Sequence, residues 1–229
     1  VRPAGTGTYR GVSAEQRREQ RRRRLLDAGM DIIATQGWAA TTVRGVCEQA
    51  KVGPRFFYES FDDLDTLAAA VHDEIVESAL GRALDAVASA DQDPHSRLTA
   101  GIGTIIVELT EDPRRARVAF AEAHGSETLM RRRFTAMRTI AQVVRQQTEQ
   151  FVELPDSPTG SAKGEAVLQA FAQLLTGGVA EVVLVWLDGG LDMNRDELVQ
   201  TCVEFTLTML DRLPEMANRV GDRLDTPAG

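Results

Sequence analysis

The sequence predicts an all-α protein with a small three-helix head and a larger helical body, and three observations carry that prediction. Apolar residues recur at helical spacing, as in Leu25, Ala28, Gly29, Ile32 and Ile33 at i, i+3, i+4, i+7 and i+8. No stretch alternates apolar and polar residues between hairpin-type turns, so no sheet is expected. The periodic segments are separated by Pro, Gly, Asp or Ser, residues that start or stop helices. With 229 residues, 43% of them hydrophobic and 26% charged, the chain suffices for a packed core and one or two domains.

Taken in order, residues 1–24 form a basic arm with Arg2, Arg10, Arg17, Arg18 and the run Arg21, Arg22, Arg23, Arg24. The arm lacks the apolar core of about 7 to 15 residues that a signal peptide needs. The first helix is expected from Leu25 to about Gln36, where Gly37 supplies a stop. Thr42 is a natural N-cap for a second, short helix in which Val43, Val46, Cys47 and Ala50 repeat the apolar face. Pro54 opens a third, Pro54 to Ser60, with Phe57 and Phe61 one turn apart. Asp62 or Asp63 caps a fourth, whose stripe of Leu64, Leu67, Ala68, Val71, Ile75 and Leu80 runs to about Ala88. Further helices are expected over Ser96–Leu109, Pro113–Ala123, Glu127–Glu153, Ala162–Leu187 and Arg195 to about Val220. The stretch Ala166–Leu187 is apolar enough to raise a membrane span, but Gln169, Gln173, Thr176 and Glu181 favour a buried bundle helix, and no membrane partner is expected.

Charge is unevenly divided. The net −8 conceals eleven Lys or Arg against six Asp or Glu in residues 1–60, and 15 against 28 in the rest. A basic head on an acidic body fits one part that meets a polyanion while the rest meets water or partners. Cys47 and Cys202 are too few and too far apart for a disulfide framework or a zinc site, which fits a reducing compartment and a cytoplasmic protein.

Two short helices joined by a tight turn, the second with an outward face of Arg55, Phe56, Tyr58 and Glu59, make a helix-turn-helix candidate over Val43–Ser60. The runs Leu25-Leu26-Asp27-Ala28, Gly37-Trp38-Ala39-Ala40-Thr41-Thr42-Val43-Arg44 and Phe57-Tyr58-Glu59-Ser60-Phe61 resemble the TetR family of bacterial transcriptional regulators. The resemblance is specific over about residues 25–70; beyond it, only the number and order of helices and the Trp186-Leu187 ending are similar. It implies a homodimer with a DNA-binding domain at 25–70 and a ligand-binding and dimerisation body at 71–229. In such proteins a small-molecule effector separates the two heads and releases operator DNA. By the same resemblance Pro54–Ser60 is the recognition helix, Arg55 and Phe56 are candidates for base edges, and Tyr58, Thr42 and Arg44 for phosphates. The arginine arm adds counterion release. The inward residues Val46, Cys47, Phe57 and Phe61 equally serve as the core of a three-helix unit.

The sequence departs from the family pattern in three places. Lys51 stands where the turn usually has glycine, so it must take a left-handed conformation. Gly53 replaces a side-chain N-cap. Leu64 replaces a phosphate-binding lysine, leaving Lys51 and the arm as the candidates to compensate.

In the body, Leu198, Cys202, Phe205 and Met209 form one apolar stripe of the last helix, and Val199, Val203, Thr206 and Leu210 another, so two neighbours are expected. Gly177 and Gly178 permit close approach of a second backbone, or simply weaken the helix. With Val182, Cys202, Phe205 and Met209 they make up the expected dimer interface. Phe120, His124, Phe134, Met137, Phe171 and Trp186 are the candidates for a cavity around a mostly apolar effector, although each alone reads as ordinary core.

Nothing in the sequence calls for an enzyme or a cofactor. The three histidines are isolated from one another and from cysteine, no nucleophile elbow is present, and Gly101-Ile102-Gly103 lacks the third glycine of a dinucleotide fingerprint. The competing readings are an all-α enzyme using Glu122 and His124 as acid and base, and a helical interaction protein that does not bind DNA.

Overall fold

The computed structural model describes residues 13–121, 126–152 and 158–225, and over these the chain is helical without strands. The order is α1 (Ala14–Gln36), a 3-10 turn (Trp38–Ala40), α2 (Val43–Ala50), α3 (Pro54–Tyr58), α4 (Leu64–Ser89) and α5 (Pro94–Thr110). Then come α6 (Pro113–Ala116), which runs into a π-helical turn (Arg117–Ala121), α7 (Glu127–Thr148), α8 (Pro158–Leu187) and α9 (Arg195–Asp225). The chain divides into two compact units. One holds the described residues up to Ile75 together with Arg117–Arg132; the other holds Val76–Ala116 and the described residues from Arg133 onward. The head is thus not the contiguous stretch expected from the sequence, because the π-helical turn and the start of α7 return to it.

In the first unit α1 begins earlier than its apolar stripe. Ser13 and Gln16 form a capping box, the Ser13 hydroxyl accepting from the Gln16 N–H at 3.0 Å and the Gln16 side chain accepting from the Ser13 N–H at 2.8 Å. The Glu, Gln and Arg residues that follow are good helix formers, so the expected arm is helical from Ala14, and Arg21–Arg24 lie within α1. Leu25 and Ile33 of α1 are fully buried, as are Val46 of α2, Phe57 of α3 and Leu67 of α4. Gly29 allows α1 to approach α4 closely, since a Cβ there would sit 2.9 Å from a Leu67 methyl. Asp63 caps α4 by accepting from the Thr66 N–H at 2.7 Å. On the buried side of α4, His72 lies 3.6 Å from the Asp73 carboxylate, which itself pairs with Arg132 at 2.6 Å.

In the second unit α5 and α8 both pack against α9. Leu168, Phe171, Leu210 and Leu213 form a buried cluster flanked by Phe151, Val152, Val167, Leu175 and Met209. Gly164–Leu187 is long and apolar enough to cross a membrane. One face of that helix, with Leu168, Phe171, Ala172, Ala180 and Val183, is buried in this unit, while Leu174 and Val185 are exposed. The helix expected over Pro113–Ala123 keeps α-geometry only to Ala116 before the π-helical turn.

Candidate nucleic-acid interface

The candidate surface is built from three local devices. The Thr42 hydroxyl accepts from the Gly45 N–H at 3.0 Å, which starts α2 and leaves Thr42 and Arg44 exposed at its first turn. Lys51 then takes φ 52° and ψ 45°, the only positive φ outside glycine among the described residues. Its N–H bonds the Glu48 carbonyl at 3.2 Å and the Val52 N–H bonds the Cys47 carbonyl at 3.0 Å, closing α2 and redirecting the chain. Gly53 caps α3 through its backbone alone, and Pro54 fills the first helical position.

This turn presents α3 with Phe57 inward and Arg55, Phe56, Tyr58 and Glu59 exposed. Tyr58, at 59% exposure, rests edge-on against Phe57 with ring centroids 5.4 Å apart, so its hydroxyl end is held outward. α3 itself ends at Tyr58, two residues earlier than expected; Glu59 keeps a helical backbone angle, and the Phe61 N–H returns to the Phe57 carbonyl at 2.9 Å.

Of Arg21–Arg24, only Arg24, which is exposed, has neither an aromatic ring nor a carboxylate against it among the described residues. Arg21 lies 4.3 Å over the Phe56 ring and 4.0 Å from the Glu59 carboxylate, Arg22 lies 4.6 Å over the Phe61 ring, and Arg23 pairs with Glu74. These contacts are tertiary and had no signal in the sequence, whereas the pairs Arg44–Glu48 at 2.8 Å and Arg55–Glu59 at 3.4 Å follow from i, i+4 spacing. Glu59, on the exposed face of α3, has its carboxylate near the guanidinium groups of both Arg21 and Arg55. The departure at Leu64 leaves Asp62, Asp63 and Asp65 around the start of α4.

The other expected residues are placed as follows. Phe171 belongs to the buried α8–α9 cluster, Phe134 is exposed and Met137 half-buried on α7. Trp186 donates its indole N–H to the Met193 carbonyl at 2.8 Å, anchoring the turn after α8. Phe171 and Trp186 are fifteen residues apart on one helix, about 22 Å along its axis, so they do not line one small cavity together. Phe120 is buried in the π-helical turn of the first unit, and His124 and Glu122, like Arg2 and Arg10, lie outside the described residues. In α9, Cys202 is turned into the chain's own core and Met209 flanks the buried cluster, while Phe205, one turn from Cys202, is exposed. Val182 is half-buried, and nothing lies within 4 Å of where a Cβ would stand on Gly177 or Gly178. Among the described residues no group of three His, Cys, Asp or Glu is arranged to hold a metal.

Residues 25–71 match the family model described as bacterial regulatory proteins, tetR family. None of the curated proteins matches the chain significantly. Among solved structures, the chain is similar to the fatty acid degradation regulator FadR from Bacillus halodurans, with 17% identity, a TM-score of 0.69, and 82% of this chain and 94% of that one covered. It is also similar to a TetR family transcription regulator from Marinobacter aquaeolei VT8, at 18% identity and TM-score 0.61 over 84% and 96% of the two chains. A transcriptional regulator from Rhodococcus sp. Rha1 shares 20% identity and a TM-score of 0.62 over 82% and 95%. These likenesses bear on the fold, which extends beyond the matched head to the helical body.

Proposed function

We propose that the chain, whose residues 25–71 match the family model described as bacterial regulatory proteins, tetR family, is a DNA-binding transcriptional regulator that acts in the cytoplasm as a homodimeric repressor released from its operator by a small, mostly apolar effector. The observation that carries the reading is the exposed face of α3, where Arg55, Phe56 and Tyr58 stand together on a helix of a size to enter the major groove. Thr42 and Arg44 at the start of α2 supply a helix N-terminus and a cation for the phosphate backbone, and Lys51 and Arg24 add charge.

The homodimer is supported by the uncovered side of α8 and α9. Leu174 and Phe205 are 65% and 68% exposed, Val185 is also exposed, and Gly177 and Gly178 leave room for a second backbone. A second copy of the same face is the occupant that would bury this surface symmetrically. The apolar effector is supported by the aromatic and Met content of the body and fits a fold shared with a regulator of fatty acid degradation.

The test is fluorescence anisotropy of the full chain on DNA flanking its own gene and on a scrambled duplex, across a salt series. Preferential binding that weakens with salt, and that lipophilic compounds reverse, is expected. Equal weak binding to both duplexes, or release by polar metabolites alone, would overturn the operator or the effector assignment respectively.

A further inference from the structure

Arg21 sits in the basic run of α1, where net charge alone marks it as a phosphate contact. Its surroundings assign it elsewhere. The guanidinium carbon lies 4.3 Å from the centroid of the Phe56 ring, and one terminal nitrogen lies 4.0 Å from Oε2 of Glu59. The other carboxylate oxygen of Glu59 lies 3.4 Å from Nε of Arg55. The Arg21 side chain is only 22% exposed and that of Glu59 33%, whereas Arg55 is 88% exposed. One carboxylate therefore joins an inner guanidinium from α1 to an outer one on α3, and the inner one also lies over the Phe56 ring.

We propose that Arg21 is a positioning residue of the reading head: it holds Phe56 and, through Glu59, Arg55 in the orientation from which they read base edges, and does not itself neutralise a phosphate. The proposal rests on the reading of Arg55 and Phe56 as base contacts. α3 has five residues and no side-chain N-cap, so it depends on packing against its neighbours for its stability. Phe56 is exposed enough to reach a partner yet needs a surface against which to rest. Arg21 is delivered from α1, a helix of 23 residues, one turn before the fully buried Leu25. A planar guanidinium suits both tasks, lying over the ring while its charge faces the Glu59 carboxylate; an ammonium keeps the charge and loses the stack. Arg21 is turned toward the Glu59 carboxylate and the Phe56 ring, so Arg55, 88% exposed, is the guanidinium of the cluster that stands open to DNA.

Arg21→Gln and Arg21→Lys separate this role from simple charge. The full-length variants would be compared with the unmodified protein by selection from a randomised duplex pool, and by a salt series on a fixed non-specific duplex. Both substitutions are expected to change base preference by about fivefold at the positions whose preference Phe56→Ala abolishes. For both, the slope of log affinity against log salt on the non-specific duplex stays unchanged. The proposal is overturned if Arg21→Gln lowers that slope by about 0.9 per head and leaves base preference intact, which is the signature of a lost phosphate contact. It is equally overturned if Arg21→Lys retains full base preference, because the stack would then be dispensable. Should Phe56→Ala and Arg55→Ala themselves leave preference unchanged, the underlying assignment of the reading face fails, an outcome distinct from a failure of Arg21 alone.

Discussion

Nη2 of Arg115 lies 3.4 Å from the carboxylate of Glu108, an acidic side chain only 8% exposed in the helical body. Arg82 reaches the other oxygen at 2.5 Å from a side chain that is 64% exposed, and Arg115 also donates to Ser78 Oγ at 3.2 Å. One carboxylate thus ties α4, α5 and α6 together. The two partners are unequal, because the better-buried Arg115 is less screened by water. Arg115→Ala is expected to lower stability by about 2 kcal/mol and Arg82→Ala by about 0.5 kcal/mol. Urea unfolding midpoints check this, and equal losses would show that burial does not separate the two.

Lys51 holds a left-handed backbone that costs a residue with a Cβ about 1–2 kcal/mol. Lys51→Gly relieves that cost and adds freedom to the unfolded chain, for a net gain of about 0.5–1 kcal/mol. The same substitution removes a cation from the reading face, so stability is expected to rise while non-specific DNA affinity falls and its salt slope shrinks. Thermal melts and anisotropy on one preparation give both readouts, and a fall in stability would contradict the backbone argument.

Burial pushes the His72 imidazole below its ordinary value of 6.5; the neighbouring Asp73 opposes this shift and Arg132 reinforces it. Between the folded and unfolded values the unfolded chain binds a proton that the folded one refuses. Stability therefore rises with pH, and is lost as pH falls from about 6.5 toward the lower folded value. His72→Gln is expected to flatten the dependence of unfolding free energy on pH between about 7 and 5.5, the window in which histidine titrates. A steeper dependence in the variant would show that another group governs this range.

Leu174 and Phe205 are, among the described side chains, the large apolar ones most exposed on α8 and α9. Replacing each with Glu places charge where a second copy is proposed to pack. Light scattering after size exclusion is expected to give about 50 kDa for the unmodified protein, twice the 25.0 kDa chain, and a monomer for the double variant. Operator affinity should fall with it, since two linked heads bind more tightly than one. A dimer that survives both changes would place the interface elsewhere.

What the sequence determined by itself is local. Thr42 as an N-cap, Pro54 at the start of α3 and Phe57 facing inward follow from residue geometry and helical spacing, whereas Lys51 in a left-handed turn and Gly53 at the cap follow from the family resemblance, and each is found. So is the order of the helices, since an apolar stripe and its stop signals act within a few residues of one another. The capping box at Ser13 and Gln16 was equally local, but charge made the segment read as an arm. Only the tertiary structure decided what the arginines of α1 do. Whether a cation meets water, a ring or a carboxylate depends on side chains brought near by packing. Thus Arg21 rests on Phe56 and Glu59, and Arg23 on Glu74, across 35 to 51 positions of sequence. The same reason returned the π-helical turn to the head and drew Phe171 and Cys202 into the chain's own core. Helical periodicity shows that a face is apolar, whereas the partner that covers it is chosen by how the helices pack.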